Sequence, residues 1–250
     1  MLDLNDPKWS DQKRKMRLEC YEWMTKPHLE YFTLYFDNNI DVRLCAKNGC
    51  TTLKHLRFLM DGKDQKTLQQ ILDDEKHLED ILSLTRYGVN QRKRAYYIQD
   101  RLAQLDPVTK QSFQFRKDSY RIAVKRDPVE RAISSATYIF SRFTGHYNPN
   151  LNDVINILNN FRIHENNHYL PQFMYMGSPK MYDEIYDIKD LNKLTGYLIK
   201  NKDEKTTFYP EFFGNHKNAS ANKFTRDDLP HKTIERIKHI YAIDYALGWC

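Results

Sequence analysis

Two short segments bring together residue types that bind anions. The first runs Arg43-Leu44-Cys45-Ala46-Lys47-Asn48-Gly49-Cys50-Thr51-Thr52-Leu53-Lys54. Strand-like alternation leads into a loop with a lysine, a glycine and hydroxyl residues, and helix spacing follows at once. Such a junction aims backbone N–H groups and the positive end of a helix dipole at one point. Gly49 lets the backbone approach an anion closely, and Thr51 and Thr52 add hydroxyl donors. The loop departs from the Walker A pattern, because Lys47 precedes the glycine and no Gly-Lys-Ser/Thr follows. An ordinary strand-to-helix turn with a solvated lysine would use the same residues.

The second segment, Ile122-Ala123-Val124-Lys125-Arg126-Asp127-Pro128-Val129-Glu130-Arg131-Ala132-Ile133-Ser134-Ser135, repeats the logic. A strand is expected to end at Arg126, with Asp127 as N-cap and Pro128 at the first helical position. Glu130 completes a capping-box spacing. Arg126 would then stand at the C-terminal edge of a sheet, where α/β folds bind ligands. Ser134 falls one to two turns into the helix.

The elements that must position these loops follow from periodicity. Ile40, Val42 and Leu44 alternate with polar residues, as do Ile122 and Val124 within 120–125, and both read as strands. Helix spacing is expected over 52–60, 65–84, 91–105, 128–142, 151–163, 189–200 and 230–247. Residues 8–36 read as one or two helices leading into the first strand. Strands alternating with helices predict an α/β fold around a mainly parallel sheet, with helix dominating. No repeat or linker divides the chain, so a single domain is expected over 1–250, with a helical extension at 1–39 and a catalytic core at 40–248.

Taken together, the two segments resemble the PAPS-dependent sulfotransferases, in particular the Golgi carbohydrate branch of family 2 type. That family has a Lys-x-Gly/Ala-x-Thr/Ser-x loop after its first strand and an Arg-Asp-Pro-x-Glu-Arg-x-x-Ser motif after a later one. Lys47 to Thr52 match the first, and Arg126 to Ser134 match the second at full spacing and in the same order. The resemblance extends weakly through His168-Tyr169-Leu170-Pro171-Gln172, Tyr182 to Tyr186, His216 to Ser220 and Tyr241 to Tyr245. It covers roughly residues 40–248.

The resemblance implies a three-layer α/β/α, P-loop-like sulfotransferase fold. It implies transfer of a sulfuryl group from PAPS (3′-phosphoadenosine 5′-phosphosulfate) to a hydroxyl acceptor, with a glycan favoured and PAP as product. Backbone amides of Asn48, Gly49, Cys50, Thr51 and Thr52 would hold the 5′-phosphate, with the threonine hydroxyls. Lys47 would neutralise charge on the bridging oxygen as the sulfuryl group leaves. Arg126 and Ser134 would grip the 3′-phosphate. A loop at Asn218 and Ser220 would close over the nucleotide; the same residues form a glycosylation sequon.

Sulfuryl transfer proceeds by in-line attack and rests on positioning and electrostatics. It requires no metal. The acceptor hydroxyl calls for a general base. His55, His164, His168, Asp100 and Glu22 are candidates, and His168 is favoured because a His before Pro-Gln recurs in similar enzymes. His164-Glu165-Asn166-Asn167-His168 also satisfies the zinc-protease spacing HExxH. The two asparagines and Pro171 argue against the continuous helix which that site needs.

Composition is compatible with this reading. The 250-residue chain is 40% apolar and 29% charged, with a net charge of +6. That balance suits an anionic ligand and falls short of a dedicated nucleic-acid binder. The basic run Gln91-Arg92-Lys93-Arg94 reads as a solvated helix face or a rim for an acidic glycan. No apolar run approaches the roughly 18–20 residues of a membrane span. The N-terminus lacks signal-peptide character. Cys20, Cys45, Cys50 and Cys250 form no CxxC pair, so free thiols and a cytoplasmic location are expected. A PAP-binding protein without transferase activity, or a metalloprotease, would be the alternatives. Acceptor choice would lie in the 143–190 region and the N-terminal helices.

Overall fold

In the computed structural model, the described residues are 33–60, 115–144, 148–208 and 224–250, with isolated positions at 7, 10 and 210. Their centre is a four-stranded sheet in the order β1 (Thr33–Phe36), β2 (Ile40–Arg43), β3 (Tyr120–Lys125), β4 (Glu184–Asp187). β1 pairs antiparallel with β2, while β2–β3 and β3–β4 are parallel. The chain is therefore a mixed α/β protein with a mostly parallel sheet.

Residues 33–36 were expected in the helical extension, but they form the edge strand of this sheet. The reason is the turn that follows: Asn38 and Asn39 both take positive φ, at 50° and 56°, and Ile40 N–H bonds to Asp37 O at 3.2 Å. That is a type I′ hairpin turn, whose twist matches paired strands and which asparagine tolerates. β4 was not anticipated either. Its four residues are all half-buried and carry little alternation.

The sheet's two faces have different chemistry. Val42, Ile122 and Val124 pack with Leu44 against α1 (Cys50–Leu59) and α5 (Leu191–Lys200), through Leu53, Leu56, Leu194 and Leu198. Each fully buried side chain of this kind stabilises the fold by about 1.5–3 kcal/mol. The opposite face carries Ala123, which packs with Cys45, Leu170, Tyr175, Met176 and Trp249. Tyr175 and Met176 belong to α4 (Gln172–Met176).

A third apolar cluster joins α2 (Pro128–Thr144), α3 (Leu151–Asn160) and α6 (His231–Ile240). In α2 the buried positions 129, 132, 133, 136, 139, 140 and 143 form one helical stripe. α3 begins at Asn150, whose side chain accepts from Asp153 N–H, and it ends at extended Phe161 rather than at 163. The C-terminal helical stretch is divided at Tyr241 into α6 and α7 (Ala242–Leu247). No helix among the described residues is long and apolar enough to cross a membrane. The helices expected at 65–84 and 91–105, with the basic run at 91–94, lie outside the described residues.

Candidate anion-binding site

The two loops singled out by sequence meet at the C-terminal ends of neighbouring parallel strands. β2 and β3 are in register with Arg43 opposite Ala123, so the chain leaves both strands on the same edge of the sheet. After β2, Cys45 to Asn48 form a turn closed by Asn48 N–H to Cys45 O at 3.1 Å. Lys47 sits at the third position with φ +70°, a conformation strained for a residue with a Cβ. Gly49 follows at φ +77°. It is the N-cap of α1, since Leu53 N–H bonds to its carbonyl. A glycine cap has no side chain to satisfy the first-turn N–H groups, so those of Cys50, Thr51 and Thr52 remain suited to an external acceptor.

Gly49 has a second reason to be glycine. A Cβ there would lie 2.8 Å from Leu191 Cδ2 and 2.9 Å from Ile188 Cδ1. The missing side chain lets the loop sit against the start of α5.

At the second loop, Asp127 caps α2 by accepting from Val129 and Glu130 N–H at 2.9 and 3.0 Å. Glu130 turns outward and accepts from Arg226 N–H at 2.9 Å, with a long 4.0 Å ion pair to Arg126. Arg126 Nη1 donates to the Lys47 carbonyl at 3.0 Å. Ser134 is half-buried one turn beyond Glu130 and one before Tyr138, so all three lie on one stripe of α2.

Three cations cluster here. Lys47, Arg126 and Arg131 lie close enough that each arginine opposes the Lys47 charge and Arg131 opposes that of Arg126. Burial pushes the Lys47 ammonium down to about 8; the neighbouring Cys50 opposes this, and the two arginines add to it by smaller amounts. Burial likewise lowers Arg126. Arg131 is fully enclosed and braces the loop from beneath. Its Nε donates to Ala46 O at 3.1 Å and its Nη2 to Leu170 O at 2.6 Å. Glu130 at 4.0 Å, with Asp127 and Asp187, offsets part of the Arg126 charge, while Lys47 and Arg126 still repel one another, so the pair is suited to a further anion.

His168, the favoured base, comes to the same place. Its ring stacks on Tyr138 at 4.2 Å between centroids, and Lys47 Nζ lies 4.8 Å from the centre of that same ring. The imidazole and the ammonium are thus within about 9 Å of each other. Asn166 Oδ1 accepts from the His168 backbone N–H at 2.9 Å, which fixes it as the oxygen, and His168 Nδ1 lies 2.9 Å from it. Nδ1 must therefore carry a proton, and in the neutral ring the lone pair sits on Nε2.

The HExxH spacing does not lie on one helix. Residues 163–165 and 167–169 form two separate 3₁₀ turns, divided by Asn166 at φ −158°, ψ 139°. His164 and His168 thus lack the i, i+4 placement that a zinc helix needs. Among the described residues, no group of three His, Cys, Asp or Glu side chains could hold a metal ion.

Glu22, Asp100, Asn218 and Ser220 lie outside the described residues, as do the side chains of Thr51, His55 and His164. Neither family models, curated proteins nor solved structures yield a match to this chain. The site therefore has to be interpreted from its own geometry. Sequence reasoning passed over three of its supports: Arg131, Tyr138 and Gln172. Arg131 lay inside the second motif without a role. Tyr138 follows Ser134 by one helical turn, a spacing that could have flagged it.

Proposed function

We propose that this protein is a sulfotransferase that binds PAPS at the Lys47 and Arg126 loops and transfers its sulfuryl group to a hydroxyl, with a glycan as the favoured acceptor class. The observation that carries the reading is the convergence of the two motifs: Arg126 bonds to the Lys47 carbonyl, at the shared edge of two parallel strands. The mostly parallel sheet is compatible with a three-layer, P-loop-like sulfotransferase fold. A donor with phosphates at both 3′ and 5′ positions suits two cationic loops side by side better than a mononucleotide does.

Each residue has a physical task in this reading. The N–H groups of Cys50, Thr51 and Thr52 and the dipole of α1 hold the 5′-phosphate. Arg126 and Ser134 take the 3′-phosphate through charge-assisted and hydroxyl bonds. His168 Nε2 accepts the acceptor hydroxyl's proton as the new oxygen–sulfur bond forms. The bond from sulfur to the bridging oxygen breaks, and Lys47 stabilises the charge left on PAP.

Calorimetry with PAP tests the donor assignment. Wild type is expected to bind in the micromolar range or tighter, and Arg126→Ala to weaken binding at least about tenfold, or roughly 1.4 kcal/mol. Absence of PAP binding by folded wild type would overturn the assignment. Radiolabelled or chromatographic detection of sulfated sugars then separates a transferase from a nucleotide-binding protein that has lost transfer.

A further inference from the structure

We propose that Gln172 is a positioning residue that makes the two phosphate loops a single binding unit, so that the 3′- and 5′-phosphates are engaged together at a fixed spacing. The inference rests on the PAPS-binding reading of the site.

Gln172 is completely buried at the start of α4. Its Oε1 accepts from Asn48 Nδ2 in the first loop at 2.7 Å and from the Arg126 backbone N–H in the second at 3.0 Å. Its Nε2 donates to the Arg126 carbonyl at 2.8 Å and to the Trp249 carbonyl at 2.9 Å. An amide has two acceptor lone pairs and two N–H donors, and all four are used. The amide cannot be flipped, because Arg126 N–H can only donate and the Trp249 carbonyl can only accept.

Three of these four bonds end on the phosphate loops. The pair to Arg126 reproduces what a neighbouring strand would offer, so it extends the β3 ladder by one residue in the direction of the ligand. Asn48 also donates to Val124 O at 2.8 Å, fastening the first loop to the end of β3. Gln172 is itself held in place. Asp244, buried among α4 and the C-terminal segment, accepts from the N–H groups of Gln172 and Phe173 at 2.8 and 2.9 Å.

This arrangement has a consequence for ligand choice. With Arg126 bridging to Lys47 on one side and Gln172 bridging Arg126 to Asn48 on the other, the two loops are held at a fixed spacing before any ligand arrives. A ligand carrying both phosphates at that spacing engages both loops without a further ordering cost, whereas a single phosphate uses one loop only.

The test compares adenosine 3′,5′-bisphosphate with 5′-AMP and 3′-AMP by calorimetry, on wild type and Gln172→Met. In the variant, bisphosphate affinity is expected to fall tenfold or more, while each monophosphate changes less than threefold. Gln172→Glu sets a buried carboxylate oxygen against the Arg126 and Trp249 carbonyls, and should lose bisphosphate affinity at least as far as Gln172→Met. Equal losses for all three ligands would mean general damage to the fold and overturn the proposal, as would unchanged bisphosphate binding. If Gln172→Met does not fold, Asn48→Ala removes one arm of the bridge and carries the same comparison. Failure of wild type to bind the bisphosphate at all would remove the PAPS reading, and this inference with it; a loss of selectivity confined to the variants bears on Gln172 alone.

Discussion

Arg126 reaches across from the end of β3 and donates from Nη1 to the carbonyl of Lys47, 3.0 Å away in the loop after β2. The two residues proposed to hold opposite ends of one nucleotide are therefore already bonded to each other without it. The contact fixes the peptide of Lys47, whose φ of +70° is a strained conformation. It also places a guanidinium beside an ammonium, a repulsion that Glu130, Asp127 and Asp187 offset in part on the Arg126 side and that a bound anion would offset further.

Arg126→Lys should therefore fail in two ways. Lysine keeps the charge but loses the planar fork that can span a carbonyl and a phosphate together. PAP affinity is expected to drop about tenfold, close to the Arg126→Ala value, with unfolding stability within about 1 kcal/mol of wild type. Near-normal PAP affinity in Arg126→Lys would show that charge alone suffices.

Lys47 should make PAP binding pH-dependent. Its folded pKa of about 8 lies below the unfolded value of 10.5. A bound anion favours the ammonium, so affinity should fall as pH rises above 8, and binding near pH 8 should take up protons. Calorimetry in two buffers of different ionisation enthalpy reads that uptake directly. Lys47→Arg stays charged at pH 9 and should flatten the profile; a flat wild-type profile would remove Lys47 from contact with the phosphates.

The same depression predicts a stability effect of defined sign. The folded state binds fewer protons than the unfolded state between pH 8 and 10.5, so this group's contribution rises with pH through that window. Below pH 8 the cost of burying the charge is fully present. Lys47→Met keeps the backbone strain and removes the charge. It should unfold at higher urea at pH 7, by on the order of 1–3 kcal/mol, and the advantage should shrink by pH 10. An equal or lower midpoint at pH 7 would contradict this.

What the sequence made legible was local. Asp127-Pro128 announced the start of α2, and the apolar spacing of Leu53 and Leu56 announced α1, because caps and helical stripes are written in consecutive residues. The turn at Asn38-Asn39 is also written there, and with it β1, although residues 8–36 taken as a whole read as helix. Gln172 was not legible: Asn48 is 124 positions away and Trp249 is 77 away. A buried amide satisfied by four partners has no spacing signature, since its meaning comes only from the fold. The separation of His164 from His168 was half legible, through two helix-disfavouring asparagines, and Asn166 proved to be the break.

Gly49→Ala should separate the packing role of this glycine from any role toward an anion. Positive φ with a Cβ costs about 1–2 kcal/mol, and contacts of 2.8 and 2.9 Å with Leu191 and Ile188 add about 1 kcal/mol of repacking. The double variant with Leu191→Ala should relieve the Leu191 part of the crowding and leave the Ile188 contact and the backbone cost. Urea denaturation measures both, and a neutral Gly49→Ala would contradict the loop geometry.

His168 is the sharpest test of catalysis as distinct from binding. Its Nδ1 faces Asn166 Oδ1, and its ring lies against Tyr138, which also contacts the Lys47 ammonium. His168→Gln should leave PAP affinity within about twofold and lower kcat by about 10²–10⁴, the usual contribution of a positioned base. Asn166→Asp gives a check that a structural role would not pass. A carboxylate at Nδ1 stabilises the imidazolium and raises its pKa, so the ring becomes a free base only at higher pH. The acid limb of the kcat profile should move upward with it. If activity persists in His168→Gln, or if the limb stays in place in Asn166→Asp, the proton leaves the acceptor by another route, and His168 serves only to hold Tyr138 against Lys47.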